Sequence, residues 1–117
     1  MFAALARLFR KPPPGPTWVD VAGLRRQMTS GALLILDVRG PDEFDGPLGH
    51  IEGARNIPLP ELMAHQAEIA GGRRPVICVC LTDKRSAAAA AQLAASGIGG
   101  VSVLRGGMTA WREAGAP

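Results

Sequence analysis

The chain has 117 residues, with 13 lysines and arginines against 10 aspartates and glutamates, and only two cysteines. A chain of this length folds as one domain and buries a core without disulfide bonds. Arg7, Arg10 and Lys11 supply the whole net charge of +3, and no basic stripe interleaved with aromatic residues follows, which argues against nucleic-acid binding. Neither a bilayer-spanning run nor a secretory signal is apparent, so we expect a cytoplasmic protein with reduced thiols.

The N-terminal segment over residues 1–16 differs in character from the rest of the chain. Residues 2–9 space their apolar side chains for one face of a short amphipathic helix, and prolines between residues 12 and 16 break it off. We interpret this segment as an appendage with a stiff linker, ahead of a domain over residues 17–117. Two interpretations stay open: a loosely packed tail, or contact of residues 1–11 with a protein partner or a membrane surface.

Strands and helices alternate along the rest of the chain. The predicted strands cover residues 33–37, 54–58, 76–80 and 101–104. The predicted helices run to about residue 28 behind an Asp20 cap, then over 60–70 until Gly71 and Gly72, over 86–96 until Gly97, and over 108–114. This alternation predicts an α/β fold, a largely parallel central sheet with helices on both faces. Sites in such folds form where strands end and helices begin.

A cysteine lies at one of these junctions. Cys80 ends an apolar strand, and backbone N–H groups of the next loop and helix start suit an anion. With the cations of Lys84 and Arg85 they favour the thiolate, which is the nucleophilic form. The alternative is that Cys80 is merely a small apolar residue. Cys78, inside the strand, is predicted to be core.

Four segments in this order resemble the signature segments of a single-domain rhodanese, a sulfurtransferase. They are DVRGPDEF (37–44), GHIEGARNIP (49–58), CLTDKRS (80–86) and LRGGMTAWREAGAP (104–117). The resemblance runs from about residue 18 to the C-terminus. It implies that the Cys80 thiolate takes a sulfane sulfur from thiosulfate or a persulfide donor and passes it to a thiol or to cyanide. No cofactor, metal ion or histidine base is implied.

The resemblance also implies a set of site residues around Cys80. Asp37 and Arg39 at a strand end are expected mainly to fix the loop over residues 81–85, which we call the active loop. Glu43 is expected to pair with Arg39 or Arg85. Gly106 and Gly107 are expected to permit an unusual backbone beside that loop. We expect His50 to fix a turn, His65 to lie on a helix surface and Trp111 to be core. The residues expected to surround the substrate are Leu81, Thr82, Asp83, Lys84, Arg85 and Ser86.

One residue departs from the family pattern. Many single-domain rhodaneses have glycine where this chain has Asp83. Aspartate tolerates the left-handed backbone region, so we expect the loop to keep its shape. A carboxylate near Cys80 would oppose thiolate formation and repel an anionic donor.

Two alternative functions compete with sulfur transfer. Cysteine phosphatases and arsenate reductases related to rhodaneses have five residues between cysteine and arginine, whereas Cys80 and Arg85 are separated by four. The shorter loop suits a sulfur atom better than a tetrahedral oxyanion. The other alternative is a sulfur carrier or partner-docking module with low turnover. Retention of Cys80 counts against an inactive module.

Overall fold

The computed structural model describes residues 16–117, and the amphipathic and proline-rich segment lies outside the described residues except for Pro16. Five strands form one sheet in the order β1-β5-β4-β2-β3, and every pair is parallel, so the predicted parallel sheet is confirmed. Their bounds are β1 (Thr17–Val19), β2 (Leu34–Asp37), β3 (Arg55–Asn56), β4 (Val76–Val79) and β5 (Val101–Leu104).

Helices cover both faces of this sheet, as predicted. Because side chains alternate across a strand, Leu36 of β2 packs on one face with Leu93, while Ile35 packs on the other face with Trp111. No helix within residues 16–117 combines the length and apolar character needed to cross a membrane. The helices are α1 (Val21–Ser30), α2 (Pro41–Phe44), a 3-10 helix (Leu59–His65), α3 (Gln66–Gly72), α4 (Lys84–Ala95) and α5 (Gly107–Glu113).

The prediction of one helix over residues 60–70 is wrong in two respects, the helix type of its first half and the residue at which it ends. Its first half is the 3-10 helix, in which Leu62 is buried and Leu59 packs against the same cluster. The two leucines lie three residues apart, which matches the three-residue turn of a 3-10 helix. The pair Gly71 and Gly72 stays helical, and Arg73 makes the left-handed turn at φ 51° instead.

The topology brings three strand ends together at one edge of the sheet. Asp37 of β2 is opposite Val79 of β4, and Cys78 of β4 is opposite Val103 of β5. The loops after β2, β4 and β5 therefore begin at nearly the same level. This carboxyl edge is where ligands bind in open parallel sheets, and it carries Cys80.

Candidate active site

Cys80 directly follows β4, and its sulfur is held by the start of α4. The residue is only 1% exposed. The Ser86 backbone N–H donates to the Cys80 Sγ at 3.3 Å, and the thiol donates to the Ser86 Oγ at 3.3 Å. The Ser86 hydroxyl in turn donates to the carbonyl of Asp83 at 3.1 Å. An amide of the first turn of α4 therefore points at the sulfur, as the sequence predicts for an anion site.

The backbone of the loop after Cys80 is anchored from behind by α5. The Met108 N–H donates to the Cys80 carbonyl at 2.9 Å, and the Thr109 N–H donates to the Leu81 carbonyl at 3.0 Å. Within residues 16–117, the backbone N–H groups of residues 82–85 donate to no acceptor. These amides are therefore available to a bound anion.

Gly107 makes this close approach of the two segments possible. Its φ of 53° lies in the left-handed region, and a Cβ there would collide with the carbonyl oxygens of Cys80 and Thr82. Gly106 has a φ of 76°, and a Cβ on it would come within 2.6 Å of the Ala110 Cβ. Both glycines thus have the unusual backbone expected from the sequence.

The resemblance implies that Cys80 is loaded with sulfur. Gly107→Ala is expected to displace the loop and to slow that loading by about tenfold or more, since small displacements at a reacting centre are costly. Gly53→Ala is the matched control, because Gly53 also has a positive φ of 83° but a Cβ there meets nothing within 4 Å. The control should lose stability alone, by about 1–2 kcal/mol. Mass spectrometry of Cys80 after timed exposure to a sulfur donor gives the rate. A wild-type rate in Gly107→Ala would show that the loop does not depend on this contact.

Arg85 forms a two-point ion pair with Glu43. Its Nη1 and Nη2 donate to the two Glu43 carboxylate oxygens at 2.7 and 2.9 Å. The pairing of Glu43, which the sequence left open, is therefore with Arg85. The hydrogen bonds from Arg85 lower the pKa of Glu43 from 4.5 to about 2. Because the folded-state pKa is depressed, the stabilisation is present above about pH 4.5 and is lost as the pH falls towards 2.

The other loop residues differ in exposure and in contacts. Leu81 is 40% exposed, and Thr82 and Lys84 are exposed as well. Asp83 has a φ of −151°, so its backbone lies outside the left-handed region that aspartate tolerates. Asp83 is instead the residue before α4, and its carboxylate accepts the Gly106 N–H at 3.4 Å. This contact joins the active loop to the start of α5.

Asp37 is the last residue of β2, Arg39 follows it by two residues, and the two side chains are buried at 0% and 1% exposure. The Arg39 Nε and Nη2 donate to the Asp37 carboxylate at 3.0 and 2.8 Å. Its Nη1 and Nη2 also donate to the carbonyls of Glu43 and Gly49. The buried pair thus fixes α2 and the loop around Gly49. Its burial favours the structural role over substrate contact.

Two supporting residues were missed from the sequence. The Asn56 Nδ2 donates to the carbonyls of Asp37 and Arg39, and Arg112 of α5 donates to the carbonyl of Leu48 at 2.7 Å. The sequence does not indicate this role for either residue, because the acceptors are backbone carbonyls that are distant along the chain. His50, expected to fix a turn, forms a hydrogen bond with the Phe44 carbonyl at 2.9 Å.

Three further expectations concern groups outside the loop. Cys78 is 0% exposed, and burial raises the pKa of its thiol to about 12. Trp111 is 1% exposed and belongs to the core, while His65 is partly exposed at the end of the 3-10 helix. Within residues 16–117, no group of three or more His, Cys, Asp or Glu side chains is placed to hold a metal ion.

The chain is similar to known proteins over most of its length. A curated Synechocystis protein that is itself uncharacterised is 37% identical over 94 residues, covering 80% of this chain and 51% of its own. The chain thus spans about half the length of that relative. The thiosulfate sulfurtransferase GlpE of Shewanella oneidensis is 38% identical over 91 residues, covering 77% of this chain and 87% of its own.

Comparison with solved structures gives a second kind of relative. A Rhodopseudomonas palustris protein of unknown function, described as a possible tyrosine phosphatase, matches with a TM-score of 0.80 at 26% identity. The match covers 87% of this chain and 83% of that one. Residues 20–114 also match the family of rhodanese-like domains. With this match, the parallel sheet and the cysteine at its carboxyl edge, the chain belongs to the rhodanese-like domain family.

Proposed function

We propose that this protein is a sulfurtransferase that carries a sulfane sulfur on Cys80. The observation that supports the proposal best is the hydrogen bond from the Ser86 amide to the Cys80 sulfur at the N-terminus of α4. An N–H aimed at sulfur stabilises a thiolate, and it stabilises a persulfide anion in the same way. The similarity to GlpE, whose name is thiosulfate sulfurtransferase, supports the same reaction class.

The first half-reaction loads the cysteine. The Cys80 thiolate attacks the outer sulfur of thiosulfate, a sulfur–sulfur bond forms to Cys80, and the sulfur–sulfur bond of the donor breaks. Sulfite leaves with the bonding electron pair. The negative charge on the new persulfide is stabilised by the Ser86 amide, and the amides of residues 82–85, which have no acceptor within residues 16–117, are further donors in the same loop.

The second half-reaction unloads the cysteine. A thiolate or cyanide attacks the outer sulfur of the persulfide, and the Cys80 thiolate leaves. No proton needs to be removed from the acceptor when it enters as an anion, so no histidine base is required. Ser86 can serve both states, because its hydroxyl accepts from the thiol in the described geometry and can rotate to donate to a thiolate.

Phosphate ester hydrolysis is the second candidate, favoured by the likeness to the Rhodopseudomonas protein. Two features oppose it. Only four residues separate Cys80 from Arg85. The charge of Arg85 is also already paired with the Glu43 carboxylate, whereas binding of a phosphate dianion relies on the charge of an arginine.

Incubation of the purified protein with thiosulfate, followed by intact-protein and peptide mass spectrometry, tests the proposal. The expected result is one added sulfur atom on Cys80, removed again by cyanide or a thiol. Loading without repeated turnover would instead favour a sulfur carrier with low turnover. Hydrolysis of an aryl phosphate that depends on Cys80, without any sulfur loading, would overturn the proposal in favour of the phosphatase.

A further inference from the structure

The side chains around the active loop, which form the mouth of the site, carry equal numbers of positive and negative charges. The loop contributes two cations, Lys84 and Arg85. Arg85 is neutralised by the two-point contact with Glu43, and the loop also carries the carboxylate of Asp83. The two cations therefore face two carboxylates. A doubly charged donor gains little net attraction from such a mouth.

Arg85 is the cation whose state matters to the sulfur. The hydrogen bond to Glu43 raises the pKa of Arg85, and the charges of Glu43 and Cys80 raise it further. Arg85 also directly precedes Ser86, whose backbone N–H donates to the Cys80 sulfur. Because the Glu43 carboxylate lies 2.7 and 2.9 Å from the two terminal nitrogens, it cancels most of the attraction that the Arg85 charge would exert on an incoming anion.

The rim of the loop is also partly apolar. Leu81 is 40% exposed directly after Cys80, and it is one of the few large hydrophobic side chains that are exposed within residues 16–117. An apolar contact of this kind does nothing for a sulfonate group, whose oxygens prefer water. It suits the carbon chain of an organic donor.

We propose that Glu43 is a specificity-determining residue, which by neutralising the charge of Arg85 turns the site towards sulfur donors less charged than thiosulfate, namely persulfides of thiols. The inference rests on the sulfurtransferase function proposed above. In the reaction the Cys80 thiolate attacks the outer sulfur of the persulfide R–S–SH. The new bond gives Cys80–S–SH, which keeps the proton, and the thiolate R–S⁻ leaves with the electron pair of the broken bond.

Three sulfur donors are compared to distinguish the effect of the donor's charge from that of its chemical reactivity. Thiosulfate carries two negative charges, and methanethiosulfonate has a similar size and a similar leaving group but carries one. Hydroxyethyl persulfide represents the proposed donor class. The rate constant for adding sulfur to Cys80 is measured for each by quenched mass spectrometry, without an acceptor, at low and at high ionic strength.

The comparison uses the full-length wild type, Glu43→Gln and Asp42→Asn. Glutamine keeps one acceptor for Arg85 while removing the charge. Asp42 is the matched control, because it is exposed on the same helix α2 and forms no ion pair within residues 16–117. Both variants change the net charge by the same amount.

The wild type should be loaded faster by hydroxyethyl persulfide than by thiosulfate, and its thiosulfate rate should depend little on salt. Glu43→Gln should lower the methanethiosulfonate-to-thiosulfate rate ratio by about two- to fivefold at low ionic strength, with the change fading as salt screens it. Asp42→Asn should leave the ratio unchanged.

An unchanged ratio in Glu43→Gln overturns the inference and leaves the proposed function standing. If that variant fails to fold, the wild type decides: a faster reaction with thiosulfate than with the persulfide, falling steeply with salt, overturns the inference. Absence of sulfur on Cys80 with all three donors overturns it together with the proposed function.

Discussion

Cys80→Ser is expected to retain the fold and to form no persulfide with any donor. Serine keeps the approximate size of the side chain and can still accept the Ser86 N–H, but it has no sulfur and its hydroxyl does not ionise at neutral pH. Loading of sulfur should fall below detection by mass spectrometry. Circular dichroism and thermal unfolding should remain near those of the wild type.

Cys78→Ser is the control within the same strand. Cys78 is fully buried, and burial holds the pKa of its thiol at about 12, so it contributes little thiolate at neutral pH. This variant should load sulfur on Cys80 and lose about 1–3 kcal/mol of unfolding free energy for the buried hydroxyl. Persulfide formation at the wild-type rate in Cys80→Ser would refute the assignment of the nucleophile.

Arg39→Met is expected to cost about 3–5 kcal/mol of unfolding free energy. The substitution leaves the Asp37 carboxylate, which is 0% exposed, without its cationic partner. It also leaves the carbonyls of Glu43 and Gly49 without their guanidinium donors. Urea denaturation gives the free energy. A loss of this size is a large part of the stability of a domain this small.

Two further variants show whether the loss comes from the lone buried charge. Arg112→Met also removes guanidinium donors to backbone carbonyls, but it leaves no carboxylate without a partner. It should therefore lower the unfolding free energy by less than Arg39→Met does. The double variant Asp37→Asn/Arg39→Met should recover part of the stability, because the buried charge is gone. A double variant less stable than Arg39→Met would contradict this explanation.

The central strands of the fold are predictable from the sequence. The strands β2, β4 and β5 are apolar runs, and burial on both faces imposes that pattern. β1 escaped prediction because it is a three-residue edge strand whose Trp18 is 45% exposed, so its sequence carries no burial pattern. α2 has only four residues, which is too short for a helical period.

The active loop could also be placed from the sequence, because Cys80 and the start of α4 are neighbours along the chain. Its long-range contacts could not. The partner of Glu43 is 42 residues away, and choosing Arg85 over Arg39 depends on how α2 packs. The contact of Asp83 with Gly106 likewise depends on the distance between two loops, which no local pattern encodes.

The hydrogen bond between the Ser86 amide and the Cys80 sulfur also stabilises the N-terminus of α4. At α1 the Asp20 side chain at the N-cap accepts such a first-turn amide, but Asp83, which precedes α4, makes no capping bond with its side chain. The sulfur of Cys80 takes that place. The sulfur that we propose as the nucleophile is therefore also a capping atom, and a change in its charge or in the group bonded to it alters the acceptor of one amide. The Ser86 amide proton is thus a built-in reporter of whether the cysteine is free or carries sulfur.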